Sequence, residues 1–299
     1  MAVLGCALAL AACGRQQTES VAQCAPVAFG ATIAVPGGRV DRGANRFEPE
    51  ERVGGVGDVG AFDIDATEVT NAQYAAFVDA TGYVTLAERA GPDGALMGAA
   101  VFDRAQARWR IDANANWRQP DGSGSSIEGR ERYPVVAVAY EDAEAYAHWA
   151  GRRLPSENEW EFAARGGEPA PADRRAEAFT AEGHARANTW QGVFPFQDTG
   201  EDGFIGLAPV ACFPANARGV YDMTGNVWEW TSDRFVGEPP TDAARPNAQA
   251  GMRVIKGGSQ LCAPNFCSRY RSGSRQPGDE GLGMSHIGFR TVGASRAWR

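Results

Sequence analysis

With 37 glycines and 17 prolines spread over 299 residues, this chain holds only short stretches of regular backbone. Glycine opens conformations closed to other residues and proline fixes φ, so their density predicts a fold of many turns and loops. The length allows one large domain or two, with a substantial buried core either way. A net charge of −8 argues against a nucleic-acid partner, whose phosphates demand basic surface, and suits a basic peptide instead.

The regular elements are legible between the turns. Thr32 to Val35 reads as a strand closed by Pro36-Gly37, and Phe62 to Asp65 alternates apolar and polar residues as a half-buried strand would. Val53 to Gly60 is Gly-rich, and Gly91 to Arg132 is loop-rich with short apolar fragments around Val101 and Trp109. Thr70-Asn71-Ala72-Gln73 is a capping-box pattern; with Tyr74, Phe77 and Val78 at helical spacing and Gly82 as a stop, it predicts a helix from about Asn71 to Thr81. Tyr133 to Val138 reads as an apolar strand. Asp142 to Ala150 places Tyr146, Trp149 and Ala150 on one helical face before Gly151, and Ser156 with Glu159 forms a second capping box, opening a helix that Gly166-Gly167 ends.

Six cysteines divide by position. The apolar run Met1 to Ala12 is too short to span a bilayer and reads as the apolar part of an export signal. Leu10-Ala11-Ala12-Cys13-Gly14 resembles the lipobox of bacterial lipoproteins, in which Cys13 becomes the lipidated first residue; a plain signal peptide with a chance cysteine is the other reading. The expected order is a lipoprotein signal peptide over 1–12, a tether over 13–26 and the folded domain over 27–299. The mature chain is then expected on the periplasmic face of a membrane, the outer one because Gly14 carries no retention signal, and held there only by its lipid. Cys6 and Cys13 belong to that leader. Cys24 and Cys212 could pair in an oxidising compartment, although sequence does not establish their proximity.

Cys262 and Cys267 lie five residues apart, an offset that puts them about 140° apart on a helix and on opposite faces of a strand. A turn can bring them together, and Ala263-Pro264-Asn265 supplies one, while Gly257-Gly258 lets the backbone approach closely just before. Two thiolates converging from a tight loop are a ligand pair for a soft metal, above all Cu(I). A disulfide within the loop and two inert buried thiols are the alternatives. Upstream, the acidic loop Asp198 to Phe204 suggests Ca²⁺, which takes carboxylate and carbonyl oxygens. It is not an EF-hand, because Pro209 stands where that motif needs a glutamate; a solvated acidic turn is the alternative.

Arg253-Val254-Ile255-Lys256-Gly257-Gly258-Ser259, the two cysteines, Arg269-Tyr270-Arg271, Arg275 and His286-Ile287-Gly288-Phe289-Arg290 resemble the C-terminal signature of the formylglycine-generating enzymes, or sulfatase-modifying factors. The resemblance extends upstream through nearly the whole chain. Its run from Trp149 to Glu161 is shared with non-catalytic members, so it points to the fold: α+β, C-type-lectin-like, loop-rich and low in regular secondary structure. The resemblance implies that Cys262 and Cys267 hold Cu(I) and that a cysteine in a Cys-x-Pro-x-Arg motif of a sulfatase joins as a third ligand. O₂ would react in a pocket shaped by Ser259 and Trp228, the substrate β-hydrogen would leave, and hydrolysis of the thioaldehyde would give Cα-formylglycine. Core packing is the other reading of Trp228 and Trp230.

Arg275 and, within Asn116 to Gly122, Trp117 would line the substrate groove, with Phe266 where members often carry Tyr and His286 as a further groove candidate. One Ca²⁺ would sit on Asn188, Thr189, Asp202 and Phe204, a second on Asp222, Gly225, Val227 and Glu229, in a monomer. Ser272 and Thr291 stand where some relatives have Cys, so stability is expected from packing and Ca²⁺. Two other classes compete. One is a non-catalytic lectin-fold binding module on the cell envelope, whose members generally lack the cysteine pair. The other is a non-haem iron oxygenase, which needs clustered histidines where this chain has only His148, His184 and His286, widely spaced.

Overall fold

Short polar and glycine signals set where each element starts and stops. A computed structural model describes residues 24–42, 47–237 and 251–294; the signal-peptide reading and the lipidation reading at Cys13 fall outside them. Strands β1 (Thr32–Val35) and β2 (Gly38–Arg42) flank the expected Pro36-Gly37 turn. The Gly-rich run forms β3 (Gly55–Val59), which pairs antiparallel with β2 from Gly38↔Val59 to Arg42↔Gly55. Glycine serves close packing there, since a Cβ on Gly38 would lie 2.6 Å from the ring of Phe162. Strand β4 (Phe62–Asp65) is buried at all four positions rather than half-buried, because it forms the centre of the β1-β4-β12 sheet. Its Asp65 stays satisfied, accepting from the Thr291 amide and hydroxyl at 2.7 Å and facing Arg152 at 3.3 Å.

Helix α1 (Asn71–Thr81) has the expected ends, with the Thr70–Gln73 box closed and Gly82 left-handed at φ 66°. Strands β5 (Ala99–Asp103) and β6 (Arg108–Asp112) form a hairpin inside the loop-rich stretch. Tyr133 to Val138 is not a strand, although Pro134 to Val138 is buried. Ala137 turns to φ 57°, and this segment bonds outward to several neighbours, Val135 N–H to Val69 and Ala137 N–H to Met284. Helix α2 (Tyr140–Trp149) starts two residues before the expected Asp142, whose carboxylate instead accepts the Ala139 N–H at 2.8 Å. Trp149 sits at its edge, 44% exposed, against Phe77 and Tyr146. Helix α3 (Glu157–Ala164) is capped by Ser156 and Glu159 as expected.

Downstream come β7 (Trp228–Arg234), β8 (Met252–Lys256), β9 (Gln276–Asp279), β10 (Gly283–Met284), β11 (Ile287–Gly288) and β12 (Val292–Ala294). The last three, within twelve residues, join three different sheets: β10 beside β5, β11 beside β7 and β12 beside β4. That segment therefore ties together the β5-β6 hairpin, the four-stranded β11-β7-β8-β9 sheet and the β1-β4-β12 sheet, whose buried apolar residues form separate clusters. The fold is α+β and C-type-lectin-like, with more loop than regular structure.

Ser272 bonds Glu177 through its amide and hydroxyl, and Thr291 bonds Asp65. A crosslink exists elsewhere: Cys24 and Cys212 form a disulfide closing a 188-residue separation. Replacing Cys212 by serine is expected to cost about 2–5 kcal/mol, the usual range for removing a crosslink over a long loop. Urea unfolding checks this, and an unchanged midpoint would show the bridge to be incidental.

Candidate functional site

The cysteine loop is built from its backbone outward. Gly258 is left-handed at φ 72°, and a Cβ there would lie 2.5 Å from Tyr270 Cα, so only glycine lets the strand leaving β8 cross the Tyr270 segment. The Ser259 carbonyl accepts the Cys262 N–H at 2.9 Å, and the Ala263 carbonyl accepts the N–H groups of Phe266 and Cys267 at 3.1 and 2.9 Å. These two turns bring Cys262 Sγ and Cys267 Sγ to 3.4 Å. That is well beyond a disulfide bond, so both thiols are reduced, and both are buried.

The two sulfurs are not equivalent. A hydrogen bond from Cys262 pulls the Cys267 thiol down to about 7, helped by the Arg269 guanidinium, whose Nη1 stands 3.9 Å from Cys267 Sγ. The same bond, with burial, pushes Cys262 up. Two buried sulfurs this close, one of them with its pKa lowered, form a donor set suited to a soft monovalent ion. The residues present fit Cu(I).

Two segments hang on this loop through three backbone bonds. Trp190 N–H donates to the Cys262 carbonyl at 2.9 Å, Gly225 N–H to the Gly257 carbonyl at 2.8 Å, and Gln260 N–H to the Asn226 carbonyl at 2.9 Å. Ser259 Oγ accepts the Leu261 N–H at 3.2 Å and lies 3.2 Å from His286 Nδ1. Trp228 is buried in the same apolar cluster as both cysteines, and its N–H donates to the His286 carbonyl at 2.9 Å. Trp230 packs against Tyr140, and its indole N–H donates to Val138, a core role.

The substrate candidates lie in different places. Phe266 is 59% exposed and stacks on Phe194 at 4.6 Å, which in turn stacks on Phe102, so an aromatic rim borders the cysteines. Arg275 is buried, donating to Glu157 at 2.8 and 3.2 Å and to the Val236 carbonyl at 2.7 Å. Trp117 is buried edge-on against Tyr74 and borders a cavity of about 510 Å³ with Asn71 and Glu131. A separate cavity of about 610 Å³ reaches Gln260, Leu261 and Ser285, with Arg104, Arg110 and Arg130 in its walls.

Of the first calcium set, Asp202 meets Thr189 and Phe204, while the Asn188 amide turns to the Gly206 carbonyl and Asn226 Oδ1. Asp202 accepts the Thr189 N–H at 3.1 Å and the Phe204 N–H at 3.0 Å, and burial pushes its carboxyl up to about 6. The backbone partners of Asp202 are N–H donors, and the Thr189 carbonyl accepts from Gln191 Nε2 at 3.0 Å, so a hard cation there would have to replace hydrogen bonds already made. In the second set, burial pushes the Asp222 carboxyl up to about 6, beside Glu68, which is fully buried with one carboxylate oxygen lacking a partner. Glu229 is already engaged, its two oxygens held by Arg290 at 2.7 Å each and one of them also by the Trp160 indole N–H. Arg290 faces all three groups, and burial favours the neutral forms of Glu68 and Asp222, which limits the negative charge left beside it. His148 and His184 are exposed, and among the described residues no group of three His, Cys, Asp or Glu could hold a metal, so no iron centre of the clustered-histidine kind is present there.

Residues 17–295 match the sulfatase-modifying factor enzyme 1-like domain. A Mycobacterium tuberculosis protein named formylglycine-generating enzyme is 44% identical, over 87% of this chain and 96% of its own. The chain belongs to the formylglycine-generating enzyme family. A Streptomyces coelicolor formylglycine-generating enzyme is also 44% identical, over 77% of each chain. The solved structure of PvdO from Pseudomonas aeruginosa superposes with a TM-score of 0.60 at 26% identity, covering 87% of this chain and 93% of that one. A Bos taurus relative, 36% identical over 88% of each chain, is named an inactive formylglycine-generating enzyme. Membership of the formylglycine-generating enzyme family therefore does not by itself decide catalysis, and the geometry at the cysteines carries that part. The sequence analysis gave Arg269 no role beyond its place in the family signature and assigned Phe194, Phe102 and Trp109 none at this site. Arg269 had a signal, two positions after Cys267; the aromatics come from separate loops and had none.

Proposed function

We propose that this protein oxidises a sulfatase cysteine, in a Cys-x-Pro-x-Arg context, to Cα-formylglycine with O₂ and copper. The observation that carries the reading is the pair of reduced, buried thiols at 3.4 Å in a chain of this family. Copper, when bound by Cys262 and Cys267, supplies the one-electron chemistry that lets O₂ react with a thiolate. The protein's own residues do the rest. The turns fix two sulfurs at one point, Arg269 offsets their negative charge, and Trp228 and the core around it keep water from the sulfurs. The exposed face of Phe266 and the rim behind it offer an apolar bed for the substrate chain. The test is aerobic incubation of copper-loaded protein with a Cys-x-Pro-x-Arg peptide and a thiol reductant, followed by mass spectrometry. An aldehyde at the cysteine is expected; unmodified or merely disulfide-linked peptide would refute the activity.

Two further readings belong to the same proposal. Calcium at the Asp202 and Asp222 sites supports the loop through the backbone bonds from Trp190 and Gly225. With Ca²⁺ at a hundredfold excess over its dissociation constant, each site adds about 2.7 kcal/mol of stability. Chelation should therefore lower the melting temperature, and an unmoved midpoint would exclude both ions. Lipidation of Cys13 holds the mature chain at the periplasmic face. Cys13→Ser should release it to the soluble fraction, and unchanged membrane association would count against the anchor.

A further inference from the structure

His286 sits where two sheets meet. It links β10, which pairs with β5, to β11, which pairs with β7, and its ring packs on Trp109 of β6 at 4.6 Å. Its carbonyl accepts the Trp228 N–H, which fixes the backbone, and the packing on Trp109 holds the ring. Nδ1 faces the Ser259 hydroxyl at 3.2 Å. Ser259 is fully buried and begins the turn that carries Cys262. One Oγ lone pair is already occupied by the Leu261 N–H, so the hydroxyl hydrogen and one lone pair remain to be directed.

The geometry points to His286 as a positioning residue for Ser259: its Nδ1 accepts the hydroxyl hydrogen, fixing the rotor and turning the remaining Oγ lone pair toward the substrate. A free serine rotor has three wells, and a partner held in place selects one. The ring is suited to orienting rather than to taking the proton. Burial pulls its pKa down to about 3, so it stays neutral and is too weak a base to deprotonate a hydroxyl or thiol. This inference rests on the activity proposed above only for its kinetic part.

Four variants test it: His286→Phe keeps a ring against Trp109 but removes the acceptor, His286→Asn returns an acceptor near the Nδ1 position, and Ser259→Ala is made alone and with His286→Phe. His286→Phe should lower kcat by roughly ten- to a hundredfold with KM nearly unchanged and copper stoichiometry intact, and His286→Asn should recover most of it. Because His286 acts through Ser259, the double variant should be no slower than Ser259→Ala alone. Multiplying losses, or an Asn variant as poor as Phe, would overturn the role. The contact has its own readout. The chain has three histidines, so ¹⁵N spectra of histidine-labelled protein resolve the ring that changes in His286→Asn. An unprotonated, hydrogen-bonded Nδ1 that loses its bond in Ser259→Ala is expected; a protonated Nδ1 would overturn the proposal even in a protein that makes no aldehyde.

Discussion

Serine at Cys262 or at Cys267 should abolish copper uptake and slow aldehyde formation on the order of a thousandfold or more, equivalent to several kcal/mol of barrier. A hydroxyl is a poor ligand for a soft monovalent ion, and losing one of two sulfurs leaves no site. The fold should survive. Serine is close to cysteine in volume, the thiols are not crosslinked, and a buried hydroxyl costs about 1–3 kcal/mol. The Cys267 variant also leaves the Arg269 guanidinium without its sulfur neighbour, although Glu50 still holds it. A stapling role would give the opposite pattern, with lowered melting and retained turnover. Copper analysis, turnover and melting temperature measured together separate the two.

Arg290→Met should destabilise the protein by about 3–5 kcal/mol, because removing one partner of a buried ion pair leaves the other charge uncompensated. Arg290 is fully buried, holds both oxygens of Glu229, and donates to the Asp65 and Tyr221 carbonyls at 3.2 and 3.0 Å. It is also the cation facing Glu68 and Asp222, whose carboxyls burial already pushes up. Methionine fills the volume but answers none of these groups. Adding Glu229→Gln should recover part of the loss, since a buried pair removed together costs less than half a pair. Urea denaturation of the single and double variants measures both, and a single-variant loss under about 1 kcal/mol would show the carboxylates to be neutralised some other way.

What could be read in advance followed from local chemistry. The ends of α1 and α3 were legible because Thr70, Ser156, Gln73 and Glu159 satisfy helix-end amides by themselves, whatever the rest of the chain does. The cysteine turn was legible for the same reason, with Pro264 and Asn265 between the thiols. Long-range partners decided what was not. Tyr133 to Val138 has strand composition, but its amides are claimed by Val69 and Met284 and Ala137 turns left-handed. Glycines in β3 concealed a strand that needs them for packing against α3. The Cys24–Cys212 bridge and the Phe102, Phe194 and Phe266 rim join residues far apart in sequence, and no spacing rule reaches across such distances. Arg275 carries no mark distinguishing a groove arginine from the buried partner of Glu157 that it is in the fold.

The most direct test is to titrate copper-free protein with Cu(I) and follow the initial rate of aldehyde formation on a Cys-x-Pro-x-Arg peptide in air. The rate should rise in proportion to added metal and break sharply at one equivalent per chain, with no rise for the Cys262→Ser variant. A rate that is zero throughout, or that is the same with and without copper, would contradict a copper-dependent cysteine oxidase at this pair of thiols.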